Sequence, residues 1–140
     1  MLKTLAAVAA VAAALLSTGT ASAAEVPPGC ASAKQIGTTG YVQYQGKTIA
    51  SVKQFAGCGK NWPYTWVWDS YASGRNYRVS NWIAEIKGDE EIPHGGAQGV
   101  RNKQEVWGAP ANTIKSCTRA VTSVTTTGDN YVSAWTDLRC

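Results

Sequence analysis

The chain has one histidine, one phenylalanine and one methionine among 140 residues. The lone histidine, His94, excludes ribonuclease mechanisms that need two imidazoles, and a metal site would have to be built from it and scattered carboxylates. Charge is also sparse: 16% of residues are charged, and Lys and Arg stand singly between acidic residues. That leaves no basic stripe for gripping phosphates, so nucleic acid is not an expected partner. There is no basic amphipathic helix to lie on a membrane. No apolar run after the first 23 residues approaches the roughly 20 residues needed to span a bilayer. Nucleophile motifs, Gly-rich phosphate loops and paired-carboxylate spacings are absent too. These absences point away from an enzyme and from any cofactor or metal.

What the chain does have begins with an export signal. Lys3, the apolar stretch Leu5 to Leu16 and Ala21-Ser22-Ala23 form the charged start, apolar core and cleavage site of a secretory signal peptide over 1–23. Taking 23 from 140 residues leaves 117, residues 24–140, the length of one secreted, extracellular domain. Lys3 goes with the signal, so twelve basic residues face nine acidic ones, a mild excess.

All four cysteines, Cys30, Cys58, Cys117 and Cys140, fall in the mature part, and an even count in an oxidising compartment reads as two disulfides. Spacing must choose among three pairings. Thr127-Gly128-Asp129-Asn130 separates two strand-like runs and puts Gly first of the two central residues, as a type II′ hairpin turn prefers. Counting outward from Thr127 opposite Asn130 sets Cys117 opposite Cys140, in a hydrogen-bonded pair with Cα atoms about 5.5 Å apart. Disulfides accept roughly 4.4–6.8 Å. The pairing is therefore Cys117–Cys140 and Cys30–Cys58.

The mature chain is rich in Thr, Val, Trp and Tyr, with Gly at short intervals and no helical period, which predicts an all-β domain. A first hairpin joins Tyr41–Tyr44 to Thr48–Val52 through Gln45-Gly46. A second is expected to join Asn61–Tyr71 to Asn76–Ile86 across Ser73-Gly74, with Asp69 facing Arg78. With the third hairpin this makes a small antiparallel β-sandwich or barrel of six to seven strands with two disulfides.

Trp62, Tyr64, Trp66 and Trp68 alternate along one strand, so all four share a face. Exposed together they would exceed the largest apolar patch usual for a monomer. The expectation is that they line the core, with one or two left partly exposed, Trp62 near the strand start foremost. In the third hairpin Tyr131 and Trp135 take the face opposite Val132, Ala134 and Leu138, adding to a surface aromatic patch.

The remaining segment, Gly88 to Asn112, reads as a long presented loop. Structureless connections this long are usually functional or disordered. This one carries apolar anchors, Ile92, Pro93, Val106 and Trp107, with Glu90, His94, Arg101 and Lys103 beside them to set register. These eight residues are the candidate binding site for a partner protein. A plain structural connection, with Val106-Trp107 as a short strand, stays open at this point. The expected function is a secreted, non-enzymatic protein-binding module, adaptor or inhibitor-like. Two alternatives are a carbohydrate- or cell-wall-binding module using surface aromatics, and a small secreted hydrolase such as a ribonuclease using Glu85, His94 and Arg101.

Cys58-Gly59-Lys60-Asn61-Trp62, following Gly46-Lys47-Thr48, resembles the Cys-x-x-Asn-Trp segment of small secreted actinobacterial domains. The likeness covers Tyr41 to Tyr71. Those domains are largely of unknown function, so the resemblance implies export, β structure and non-enzymatic character. By organisation alone the chain is similar to the adaptor subunit of umbrella toxin particles, which bridges a lectin-bearing subunit and a large toxin by inserting a segment into a cleft. That likeness implies an inserting role for residues 88–112. The Trp-Arg-Tyr triplet of small amylase inhibitors is absent, with Trp62-Pro63-Tyr64 in its place.

Overall fold

The computed structural model describes residues 25–140; the expected signal peptide and its cleavage site lie outside the described residues. Eight strands form two four-stranded sheets. The first sheet has the order β1 (Lys34–Tyr44), β2 (Lys47–Gly57), β3 (Lys60–Val67) and β6 (Glu105–Trp107). In the second, β4 (Arg78–Lys87) lies between β5 (Glu90–Arg101) and β7 (Thr118–Thr125), and β8 (Tyr131–Trp135) flanks β7. All the pairings are antiparallel. One short helix, α1 (Asp69–Ala72), carries the chain from one sheet to the other.

The core lies between the sheets and has apolar ends with a polar middle. Val42, Ala50, Val67, Val79, Val106 and Val124 meet at one end, while Val52, Ile83, Ala111 and Ala120 meet nearer the other. Between them runs a buried chain of side-chain hydrogen bonds. Asn81 Nδ2 donates to Thr65 Oγ1 (3.0 Å), Thr65 Oγ1 to Thr122 Oγ1 (2.9 Å), and Thr122 Oγ1 to the Ser80 carbonyl (3.1 Å). Each of these buried hydroxyls has a partner, the condition for such a network to hold a core together.

The first hairpin turns at Gln45-Gly46 as the sequence implies. The second expected hairpin does not form, because β3 pairs with β2 and β6, and β4 belongs to the other sheet. Ser73-Gly74 follows α1 instead. Asp69 opens that helix and accepts a hydrogen bond from Gln104, while Arg78 pairs with Asp129 at 2.9 Å. The third hairpin forms one residue out of the expected register, with Thr125 opposite Tyr131 and Val121 opposite Trp135. Its loop closes through Thr126 N–H to the Asn130 carbonyl (2.8 Å), which centres it on Gly128. Beyond β8 the register slips back, and Thr118 and Arg139 exchange both backbone hydrogen bonds.

Both expected disulfides are present, Cys30–Cys58 and Cys117–Cys140. Because Thr118 and Arg139 take the hydrogen-bonded position, Cys117 and Cys140 occupy the neighbouring, closer one, with Cα atoms 3.9 Å apart.

Residues 88–112 are not a loop. Gly88-Asp89 makes a tight turn between Lys87 and Glu90, and β5 then runs twelve residues along β4. Two register shifts in this pairing, on either side of Asn81, break the alternation that marks a strand in the sequence. Gly96 makes one of them possible: its φ is +92°, and a Cβ there would sit 1.9 Å from the Asn81 carbonyl oxygen. β6 supplies the short strand at Val106-Trp107.

Candidate functional site

The eight residues expected to form one binding loop are scattered. Val106 is buried between the sheets, and Trp107 packs outward on the first sheet against Tyr64 and Phe55, with ring centroids 4.4 and 5.0 Å away. Both are structural. Glu90, Ile92, Pro93 and His94 lie at the start of β5, whereas Arg101 ends it and Lys103 is in the connection to β6. His94 pairs with Ile83 and Arg101 with Arg78, five residues apart on β4, or about 16 Å. The Glu85, His94, Arg101 constellation is therefore not assembled. Only its first two members meet: His94 Nε2 is 3.1 Å from Glu85 Oε1. Hydrogen bonding from Ser116, then from His94, and the nearby Lys87 ammonium hold the Glu85 carboxyl below its ordinary range. Among the described residues, no group of three His, Cys, Asp or Glu is placed to hold a metal ion.

The aromatic alternation in β3 is real, but its face points away from the core. Asn61, Thr65 and Val67 look toward the second sheet, while Trp62, Tyr64 and Trp66 look outward. Trp62 and Tyr64 are nevertheless buried, under the N-terminal segment that Cys30–Cys58 pins across them, and Trp62 Nε1 donates to the Gly57 carbonyl (3.1 Å). Trp66 and Trp68 are the exposed pair, at 36% and 39%, the reverse of the order expected. Burial, then the charge of Glu25 and contact with Glu105, push the Tyr64 phenol well above its usual value.

The outward face of the second sheet carries a groove of about 480 Å³. Register builds it in rows. Arg78 of β4 stands beside Thr125 of β7, which stands opposite Tyr131 of β8; the next row is Ser80, Ser123 and Ser133; the third is Trp82, Val121 and Trp135. Tyr131 and Trp135 project outward as the alternation in β8 requires, and are 66% and 55% exposed. Their inward neighbours Val132 and Ala134 pack on the core.

The groove is fixed by polar contacts as well as by strands. Ser123 and Ser133 hydroxyls are hydrogen-bonded at 2.7 Å, and Ser80 Oγ accepts from Gly99 N–H at 2.9 Å. Arg119 donates to Glu91 at 2.7 Å, and its guanidinium lies 5.0 Å from the Trp135 ring centroid, a cation–π arrangement. Its Nε is buried with no hydrogen-bond partner among the described residues, an unmet donor of the kind folded proteins seldom leave. Sequence reading found Tyr131 and Trp135 through alternation. It missed Trp82, Arg78 and Arg119 because it joined β4 to β3 rather than to β5 and β7. No known protein family, curated protein or solved structure matches this chain.

Proposed function

We propose that this protein is an exported, non-enzymatic module that binds another protein through the outward face of its second sheet, as an adaptor or inhibitor-like domain. The observation that carries this reading is the grouping of Trp82, Tyr131 and Trp135 with Arg78 and Arg119 around one groove. Trp, Tyr and Arg are the residue types that dominate protein-interface energetics, and they do so from central, well-ordered positions. Here each is mounted on a strand, so little side-chain or loop ordering remains to oppose association. Residues 88–112 contribute to this surface through Glu91 and Gln98, as part of a sheet rather than as an inserting loop. Two disulfides, and the lack of any helix among the described residues long and apolar enough to cross a membrane, are compatible with an extracellular setting.

The test is capture of a partner from culture supernatant on immobilised protein, repeated with Trp135→Ala and Arg119→Ala. The expected result is a stoichiometric partner that the parent retains and both variants lose, although the variants melt normally. A partner retained equally by all three, or no partner at all, overturns the proposal.

A further inference from the structure

A second exposed aromatic group lies on the opposite side of the sandwich, where the β3 alternation runs past the N-terminal cover. Tyr41 of β1, Ser51 of β2, Trp66 of β3 and Glu105 of β6 face one another across the first sheet in a single row. Trp68 stands next to that row, two residues past Trp66. Its indole N–H donates to Ser51 Oγ at 2.9 Å, and its ring meets Tyr41 edge to face, with centroids 6.4 Å apart at 87°. The three rings are 36–52% exposed, and Tyr41 and Trp68 hold each other in place. A hollow of about 400 Å³ lies between Trp66, Trp68, Asp69 and Ser70.

The polar groups around the rings decide the ligand. Glu105 Oε2 accepts from the Tyr64 hydroxyl at 3.0 Å, and Asp69 accepts from the Gln104 amide, which is itself anchored by a bond to the Val67 carbonyl (2.9 Å). Both carboxylates are thus oriented by neutral donors. Among the described residues neither is in a salt bridge. Lys53, one row along, is already paired with Glu25 at 2.8 Å. The site therefore repels anions and offers fixed acceptors with spare lone pairs beside flat apolar rings. A sugar matches both features, with C–H faces to lie on indoles and hydroxyls to donate to carboxylates.

We infer that Tyr41, Trp66 and Trp68, with Asp69 and Glu105 as acceptors, form a binding site for an uncharged sugar chain. Trp66 and Trp68 line one hollow and their backbone positions are about 7 Å apart, so a chain of sugar rings can reach both indoles. With the protein-binding face on the other sheet, the domain has two independent sites and joins a glycan to a protein.

Calorimetric titration of the intact mature protein with cellohexaose and with chitohexaose tests this. Binding of at least one is expected, weakened about tenfold or more in Trp66→Ala and again in Trp68→Ala. Asp69→Asn and Glu105→Gln should weaken it less, and Trp135→Ala on the opposite sheet should leave it unchanged. Because Trp66 and Trp68 are half open, the variants are expected to fold, which their melting temperatures check. No binding of either hexasaccharide, binding that survives Trp66→Ala/Trp68→Ala, or preference for a polylysine peptide over both sugars overturns the inference. Loss of sugar binding with partner capture intact, or the reverse, separates failure of this site from failure of the protein-binding face.

Discussion

Thr65 and Thr122 join hydroxyl to hydroxyl at 2.9 Å across the middle of the sandwich, both fully buried. Each belongs to a different sheet, and each hydroxyl also serves a third group: Thr65 accepts from Asn81, and Thr122 donates to the Ser80 carbonyl. Thr65→Val keeps the shape but leaves Thr122 without its donor and Asn81 without one acceptor. The expected loss is about 1–3 kcal/mol in urea unfolding. In a double-mutant cycle, Thr65→Val with Thr122→Val should cost less than the two single changes added together. Strict additivity would mean that the hydroxyls do not act as a chain.

Cys30–Cys58 closes a stretch with a sequence separation of 28 and holds the N-terminal segment on Trp62 and Tyr64. Replacing both cysteines by Ala should cost about 3 kcal/mol by the chain-entropy account. It should also shift tryptophan emission to the red under native conditions, because the cover over Trp62 loosens. Removing Cys117–Cys140 should cost a similar amount without the red shift, which separates a cover from a plain staple.

Gly96 and Gly46 both have positive φ but differ in their surroundings. A Cβ at Gly46 meets nothing within 4 Å, whereas at Gly96 it strikes the Asn81 carbonyl. Gly46→Ala should therefore cost only the conformational penalty, about 1–2 kcal/mol. Gly96→Ala should cost clearly more, to the point of abolishing soluble expression. Equal melting temperatures for the two variants would contradict the bulge at Gly96.

Two carboxyls titrate low, and the sign of their effect is fixed. Asp137 is held down first by the Thr38 backbone N–H and then by Arg139, while Glu85 is held down by Ser116 and His94. A depressed folded pKa favours the folded state above the ordinary values of 3.8 and 4.5. That contribution is lost as pH falls below them toward the folded values. Acid unfolding followed by circular dichroism should be less steep in Asp137→Asn and Glu85→Gln than in the parent. The stability gap between parent and variants should be largest and constant above about pH 6, where both carboxyls are ionised in either state, and should close as the pH falls.

Local signals in the sequence specify much of this fold, and the failures have physical causes. Gln45-Gly46 and the cysteine spacing are short-range features, and both led to the right pairings. The join of β3 to β4 failed because Ser73-Gly74 suits a helix end as well as a hairpin, and only the distant partners of β3 decide between them. Residues 88–112 looked like a loop because two bulges interrupt the alternation of β5, and the glycines that permit bulges read as turn formers. The Trp62 to Trp68 stripe was placed on the right strand with the right period but turned the wrong way. Its cover comes from residues around Cys30, a contact that no pattern within the stripe encodes. The groove was half visible: Tyr131 and Trp135 came from alternation, whereas Trp82 and Arg119 needed the β4–β7 pairing.

The two sheets also meet along their margins. Thr38 N–H donates to Asp137 Oδ1 at 2.6 Å where β1 nears the segment after β8, and Gly96 bridges Ala109 where β5 nears the segment after β6. The open part of β5 carries Glu90, Glu91 and Pro93. Charge, a missing donor and covered margins are what keep one sheet from adopting a strand from a neighbouring molecule. Copies of this domain at high density would thus not join edge to edge, which leaves the two sheet faces as the surfaces open to assembly.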